Sequence, residues 1–367
     1  MDGSSSGASS PAASRAALPI DPLLPGAVDA LSRGTRLVLR AAPGAGKTTR
    51  VPAALLDAGV AGSGTVLVLE PRRIAARAAA AFVARGRGGP VGGEVGYAVR
   101  FEQRGDAATR LWFVTEGIFG RRLARDPFLD GVGVVVLDEF HERHLQGDVA
   151  LAVVRELQDT VRPDLKLVVM SATLATEALA AHLAGATVLT SEGRAHPVTT
   201  TWSPVPPGRR LSDHVASLIP PVLPDGDVLV FLPGAAEIRR TAEALAALPA
   251  MRDADVVPLH GDQPLDEQQR ALRARPRRRV VLATNVAETA LTVEGVTTVI
   301  DSGLARVARF DPRHGLDRLV VTSISRASAA QRTGRAGRRP PRGSTAGCSD
   351  RVPAGPPARH AAPRTPG

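Results

Sequence analysis

Eight consecutive residues, Ala41-Ala42-Pro43-Gly44-Ala45-Gly46-Lys47-Thr48, constrain this chain more than any other feature. They follow an apolar stretch, Arg36–Arg40, that reads as a strand, and they precede a stretch that reads as a helix. The run matches the phosphate loop G-x-x-x-x-G-K-[ST], with Ala41 in place of the first glycine. Its glycines let backbone N–H groups face phosphate oxygens, and the helix start adds the positive end of a dipole. Lys47 is placed to reach the β- and γ-phosphates of a nucleotide, and the Thr48 hydroxyl to ligate Mg2+. Ala41, Ala42, Pro43, Gly44, Ala45, Gly46, Lys47, Thr48 and Thr49 are therefore the expected ATP-binding residues. Composition adds weight to Lys47: of 46 basic residues, only Lys47 and Lys166 are lysine. A compact ammonium and a planar guanidinium are not interchangeable at a tight phosphate site, so a lysine kept among so many arginines points to such a site.

A strand–loop–helix unit needs a sheet to belong to, and the chain supplies one. Thr65–Leu69, Arg110–Val114, Val132–Leu137, Lys166–Met170 and Thr187–Leu189 are short Val/Leu runs without polar alternation, as in strands buried on both faces of a parallel sheet. Helix-like stretches, Arg72–Ala84 and Asp148–Thr160 among them, lie between. A second strand series follows: Asp227–Leu232, Asp255–Leu259, Arg279–Ala283, Thr297–Ile300 and Leu319–Thr322. Helices are expected near Ala235–Leu248 and Leu265–Arg273. The expected fold is α/β with mostly parallel sheets, in two tandem domains.

The domain boundaries follow from composition. Residues 1–17 are Ser/Ala/Gly-rich and read as a disordered tail. Residues 18–198 form the first domain. Residues 199–224 hold six prolines and read as a linker, with one short helix near 212–218. Residues 225–338 form the second domain. From 339 to 367 there are seven prolines, four glycines and five arginines, and Val352 is the one large apolar residue. That segment is expected to be a disordered tail that supplies no strand or helix face to a core.

Several function classes drop out. No apolar run approaches the roughly 18–20 residues of a membrane span. The single cysteine, Cys348, leaves no intrachain disulfide or cysteine-cluster metal site and favours a reducing, cytoplasmic location. The net charge of +10 favours a polyanionic partner. Aromatics are only 3% of the chain, so backbone tracking on nucleic acid is a better expectation than base stacking.

The second chemical signature is Val134-Val135-Val136-Leu137-Asp138-Glu139, an apolar strand ending in two acids. Asp138 is placed to hold Mg2+ opposite the phosphate loop, and Glu139 to orient and deprotonate an attacking water. His141 and His144 are three apart, a spacing open to a metal pair, but no second ligand cluster accompanies them and a nucleotide-bound Mg2+ takes oxygen ligands.

Asp138-Glu139-Phe140-His141 with Glu142-Arg143-His144 resembles motif II of the DEAH-box helicases of superfamily 2, and Phe140 resembles the bacterial HrpB-type branch. Other stretches resemble that family's motifs in its order. Glu70-Pro71-Arg72-Arg73 with Ile74-Ala75-Ala76-Arg77 is similar to motif Ia, Thr115-Glu116-Gly117-Ile118 to motif Ib and Ser171-Ala172-Thr173 to motif III. Val230-Phe231-Leu232-Pro233-Gly234 is similar to motif IV, and Pro258-Leu259-His260-Gly261 to the signature after it. Ala283 to Thr292 is similar to motif V, and Gln331-Arg332-Thr333-Gly334-Arg335-Ala336-Gly337-Arg338 to motif VI.

The resemblance implies two RecA-like domains with ATP and Mg2+ in the cleft between them. Lys47, Asp138 and Glu139 would act from the first domain, and Gln331 with the arginine fingers Arg335 and Arg338 from the second. Thr48 and Asp138 would hold the metal, while His141, Ser171 and Thr173 would couple the nucleotide to domain closure. Arg72, Arg73, Arg77, Thr115, Thr284, Asn285 and Thr289 would contact single-stranded nucleic acid, with RNA favoured over DNA. A monomer is expected. The implied activity is a nucleic-acid-stimulated ATPase and ATP-dependent helicase; the alternative is a nucleic-acid-binding fragment with little ATPase or unwinding. Family members continue well past motif VI with helical domains that wall the channel. A chain shortened after Arg338, with 339–367 translated out of frame, is therefore the expectation. A genuine basic arm that binds nucleic acid is the other reading.

Overall fold

In the computed structural model, residues 18–172, 176–191, 198–273, 276–288, 293, 295–336 and 344–347 are described. The first domain is built on eight strands: β1 (Arg36–Ala41), β2 (Thr65–Glu70), β3 (Val95–Val99), β4 (Glu102–Arg104), β5 (Leu111–Thr115), β6 (Val132–Leu137), β7 (Lys166–Ser171) and β8 (Thr187–Ser191). Their spatial order is β4-β3-β5-β2-β6-β7-β1-β8, and every pairing except β3 with β4 is parallel. Six helices accompany them: α1 (Leu24–Arg33), α2 (Lys47–Asp57), α3 (Arg73–Gly86), α4 (Glu116–Leu123), α5 (Leu145–Thr160) and α6 (Thr176–His182).

The unbroken Val/Leu runs have a direct physical reading. Successive strand side chains point to opposite faces, and both faces here are covered. Val66, Val68, Val134 and Val136 pack on the face carrying α1, α2 and α3. Leu67, Leu69, Val135 and Leu137 pack on the other, under α4 and α5.

The second domain holds β9 (Thr199–Trp202), α7 (Leu211–Leu218), β10 (Asp227–Phe231), α8 (Ala235–Ala246), β11 (Asp255–Leu259), α9 (Leu265–Leu272), β12 (Arg279–Ala283) and β13 (Val296–Asp301). Then come the antiparallel pair β14 (Leu304–Asp311) and β15 (Leu316–Ser323), α10 (Arg326–Thr333) and β16 (Ser344–Gly347). Its main sheet runs β11-β12-β10-β13-β16-β9, all parallel. A buried ion pair ties its base: Arg279, fully buried, meets Asp227 at 2.7 Å across β12 and β10. The two domains touch through α3, whose Ile74 is buried in the same apolar cluster as Phe231, Leu259, Ala271 and Ala283.

Two expectations are corrected. The proline-rich stretch 199–224 is more than a linker: it contains edge strand β9, and Val215 and Ala216 of α7 lie in the core against Val228 and Val230. The stretch 339–367 does supply a strand, since β16 lies between β13 and β9, with Thr298 opposite Ser344 and Thr199 opposite the same residue. Ser-Thr-Ala-Gly has no apolar period to betray it; its place comes from the hydrogen-bonding edges of its neighbours. The rest of that stretch, and residues 1–17, lie outside the described residues.

Candidate nucleotide and nucleic-acid site

Strand β1 ends at Ala41 and α2 begins at Lys47, so the intervening loop caps a helix N-terminus. The turn requires glycine twice. Gly44 and Gly46 have φ of 84° and 93°, a region that side chains disfavour. At Gly46 an added Cβ would also lie 2.5 Å from Leu18. Gly46 is the N-cap and offers no side-chain acceptor, which leaves the first N–H groups of α2 open to an anion. The segment before α1 braces the loop: the Ile20 N–H donates to the Ala45 carbonyl at 3.1 Å.

Lys47 is buried and reaches across to motif II, with Nζ 3.0 Å from Glu139 Oε1. Burial alone would lower its pKa; Glu139, Asp138 and Glu70 outweigh it and raise the ammonium above its usual range. The Thr48 hydroxyl donates to Asp138 Oδ2. Burial and the neighbouring Glu139 push Asp138 up to about 6, against the pull of Lys47 and Thr48. Burial opposes ionisation of Glu139 as well, but Lys47 and His141 prevail and hold it below the ordinary carboxylate range. A third acid, Glu70 at the end of β2, is fully buried beside them; burial, Asp138 and Glu139 push it well above that range.

After β6 the backbone turns sharply. Glu139 and Arg143 have φ of 48° and 53°, and a single 3₁₀ turn, Phe140–Glu142, lies between them. Left-handed geometry at such residues costs on the order of 1–3 kcal/mol each, and strain of this kind concentrates at functional sites. The turn places His141 between two motifs. Its Nδ1 accepts from the Ala172 N–H at 3.2 Å, so the ring proton sits on Nε2, 3.4 Å from Glu139 Oε2. Burial lowers the His141 pKa, which keeps the ring neutral near pH 7. Ser171 closes β7 beside it and is buried, whereas Thr173 lies outside the described residues. His144 pairs with Glu142 at 2.9 Å, and no group of three His, Cys, Asp or Glu among the described residues could hold a metal ion.

In the second domain α10 carries Gln331, which is half-buried. Arg335 is buried and donates to the Glu288 carbonyl, and Arg338 lies outside the described residues. A residue that sequence reasoning passed over, Arg332, holds this region together. It is 1% exposed, pairs with Glu288 at 2.9 Å and with Asp301 at 2.8 Å, and lies 4.7 Å from the centroid of the Phe231 ring. Its partners are 31 and 44 residues away, so spacing gave no signal.

The residues expected to meet nucleic acid divide into two groups. Arg73 is exposed at the start of α3, Thr115 is half-buried at the end of β5, and Thr284 and exposed Asn285 follow β12. Arg72 and Arg77 are engaged within the protein. Arg72 pairs with Glu142 at 3.2 Å and donates to the Asn285 carbonyl, bridging the two domains. Arg77 pairs with Glu102 at 3.3 Å over the Tyr97 ring. Thr289 lies outside the described residues.

Residues 26–181 match the DEAD/DEAH box helicase profile, and residues 212–340 match the helicase conserved C-terminal domain. The chain belongs to the DEAD/DEAH box helicases. It is 45% identical over 329 residues to the ATP-dependent RNA helicase HrpB of Escherichia coli (strain K12), a match covering 88% of this chain and 40% of that helicase. Two crystal structures are similar over most of this chain. The E. coli DEAH/RHA helicase HrpB has a TM-score of 0.84 at 44% identity, covering 90% of this chain and 42% of that one. The E. coli DExH-box NTPase HrpB has a TM-score of 0.78 at 43% identity, covering 92% and 42%. The chain thus spans about two-fifths of the length of these relatives. No helix among the described residues is long and apolar enough to cross a membrane.

Proposed function

We propose that this chain is the ATP-hydrolysing core of an RNA helicase, working as a monomer in the cytoplasm on single-stranded RNA. The observation that carries the reading is the buried cluster of Lys47 with Glu139 and Thr48 with Asp138 at the uncapped start of α2. The donor set fits a nucleotide and its cation: open N–H groups and an ammonium for phosphate, and a hydroxyl and a carboxylate for Mg2+. When bound, Mg2+ neutralises charge on the phosphates and ATP supplies the transferable phosphoryl group.

The chain's own residues do the rest. Lys47 exchanges its contact with Glu139 for the β- and γ-phosphates. Thr48 and Asp138, already in contact, would hold the cation. Glu139, released from its contact with Lys47, orients a water and accepts its proton. His141, with Nδ1 held by Ala172, relays the position of Glu139 to the end of β7. Arg335, Arg338 and Gln331 approach from the second domain when it closes, and the two guanidinium charges meet the γ-phosphate then. Arg73, Thr115, Thr284, Asn285 and Thr289 hold the RNA backbone without reading sequence. Arg72 serves as a bridge between the domains.

Equilibrium nucleotide binding and an ATPase assay with and without single-stranded RNA test this reading. RNA should stimulate the wild type, and Lys47→Ala should lose hydrolysis and bind nucleotide more weakly. Wild-type protein that binds RNA but does not hydrolyse ATP would support the alternative, a nucleic-acid-binding fragment.

A further inference from the structure

The proposed machinery uses Lys47, Asp138 and Glu139 and gives no work to Glu70. That residue ends β2, the strand beside β6, and Asp138 follows β6. The Asp138 N–H donates to the Leu69 carbonyl at 3.0 Å, which fixes the two strand ends side by side. Glu70 is 0% exposed, and neither of its oxygens accepts a hydrogen bond from a donor among the described residues. Asp138, Glu139 and Lys47 are the charged groups around it. Three acids thus share one ammonium in a buried cluster, although a buried carboxyl without donors destabilises a fold.

We propose that Glu70 is an outer carboxylate of the cation site: it accepts a hydrogen bond from a water on the Mg2+ held by Thr48 and Asp138. The proposal rests on the nucleotide-site reading above. Mg2+ keeps several of its waters when protein-bound, and each such water brings protons that need acceptors. Glu70 brings two oxygens that lack donors, at the strand end next to the ligand. Among the described residues no three such groups are arranged to hold a metal ion together, which disfavours direct ligation by all three acids. An arrangement through water remains.

The test is a Mn2+ titration of the whole chain with ADP, read by electron paramagnetic resonance. Glu70→Gln should weaken Mn2+ binding about 10- to 100-fold, the usual effect of removing an outer partner of a metal site. ADP binding in EDTA should be unchanged, and the metal-free variant should melt at or above the wild-type temperature. Asp138→Asn is the control. If it binds Mn2+ as the wild type does, the cation-site reading itself fails. If it loses Mn2+ while Glu70→Gln binds as the wild type does, Glu70 alone loses its role. A Glu70→Gln chain that does not fold, or whose ADP binding in EDTA falls tenfold, would also overturn the proposal, which assigns Glu70 neither a stabilising nor a nucleotide contact.

Discussion

At the scale of single residues the site is a set of ionisable groups placed against their solvation preferences. Asp138 gives the sharpest consequence. Its pKa in the fold, about 6, lies above the ordinary 3.8, so between these values the folded state holds more proton than the unfolded chain. Its contribution to stability therefore falls as pH rises through that window. In EDTA, Asp138→Asn should melt above the wild type at pH 7.5, and the gap should shrink as pH drops from 6 towards 4. Thermal melts at several pH values check this, and a gap independent of pH would contradict it. The groups that spacing along the chain could reveal, Lys47, Thr48, Asp138 and Glu139, are where the motifs put them. Glu70, Arg279 and Arg332 were not legible as site or core groups, because their roles come from partners on other strands and helices. Arg72 and Arg77, which the family resemblance assigned to nucleic acid, each pair with an acid in this structure.

At the scale of elements, strands buried on both faces were the most legible. β6 and β12 match their sequence-based bounds residue for residue, and so does the half-buried edge strand β11. β3 and β14 escaped notice, although β3 is buried throughout. β4, β9 and β16 did so because Glu102–Arg104 is polar, Thr199–Trp202 is exposed and Ser344–Gly347 is small and polar. Such strands are set by a partner edge rather than by their own pattern. The β14–β15 pair shows the opposite case, apolar residues left in solvent: Phe310 is 65% and Leu319 is 64% exposed. Replacing both with serine should cost little stability, as exposed substitutions usually stay within about 0.5 kcal/mol. It should reduce self-association in sedimentation velocity without changing ATPase activity per chain, because the pair lies outside the nucleotide cluster. Unchanged self-association would show that this face is not the adhesive one.

At the scale of the whole molecule the question is how two domains share one reaction. They meet through α3, with Ile74 in the second domain's core and Arg72 joining Glu142 to the Asn285 carbonyl. Arg72→Ala should lower the RNA stimulation of hydrolysis more than it lowers the basal rate. Equal loss of both would place Arg72 in the nucleotide site alone. Stability can be lost in one domain separately. Arg279→Ala leaves Asp227 buried without its cation, which should cost about 3–5 kcal/mol and unfold the second domain first. Limited proteolysis should then release a protected fragment of the first. RNA affinity should fall steeply with salt and vary little with base sequence, since the expected contacts are to the backbone.

The central claim is that the buried cluster hydrolyses ATP with Glu139 as the group that activates water. Single-turnover hydrolysis of radiolabelled ATP at saturating RNA, comparing wild type with Glu139→Gln, tests it most directly. The account predicts that Glu139→Gln still binds ATP and Mg2+ while its rate falls by about 10²- to 10⁴-fold, the usual contribution of a general base. A Glu139→Gln protein that turns over at near the wild-type rate would contradict it.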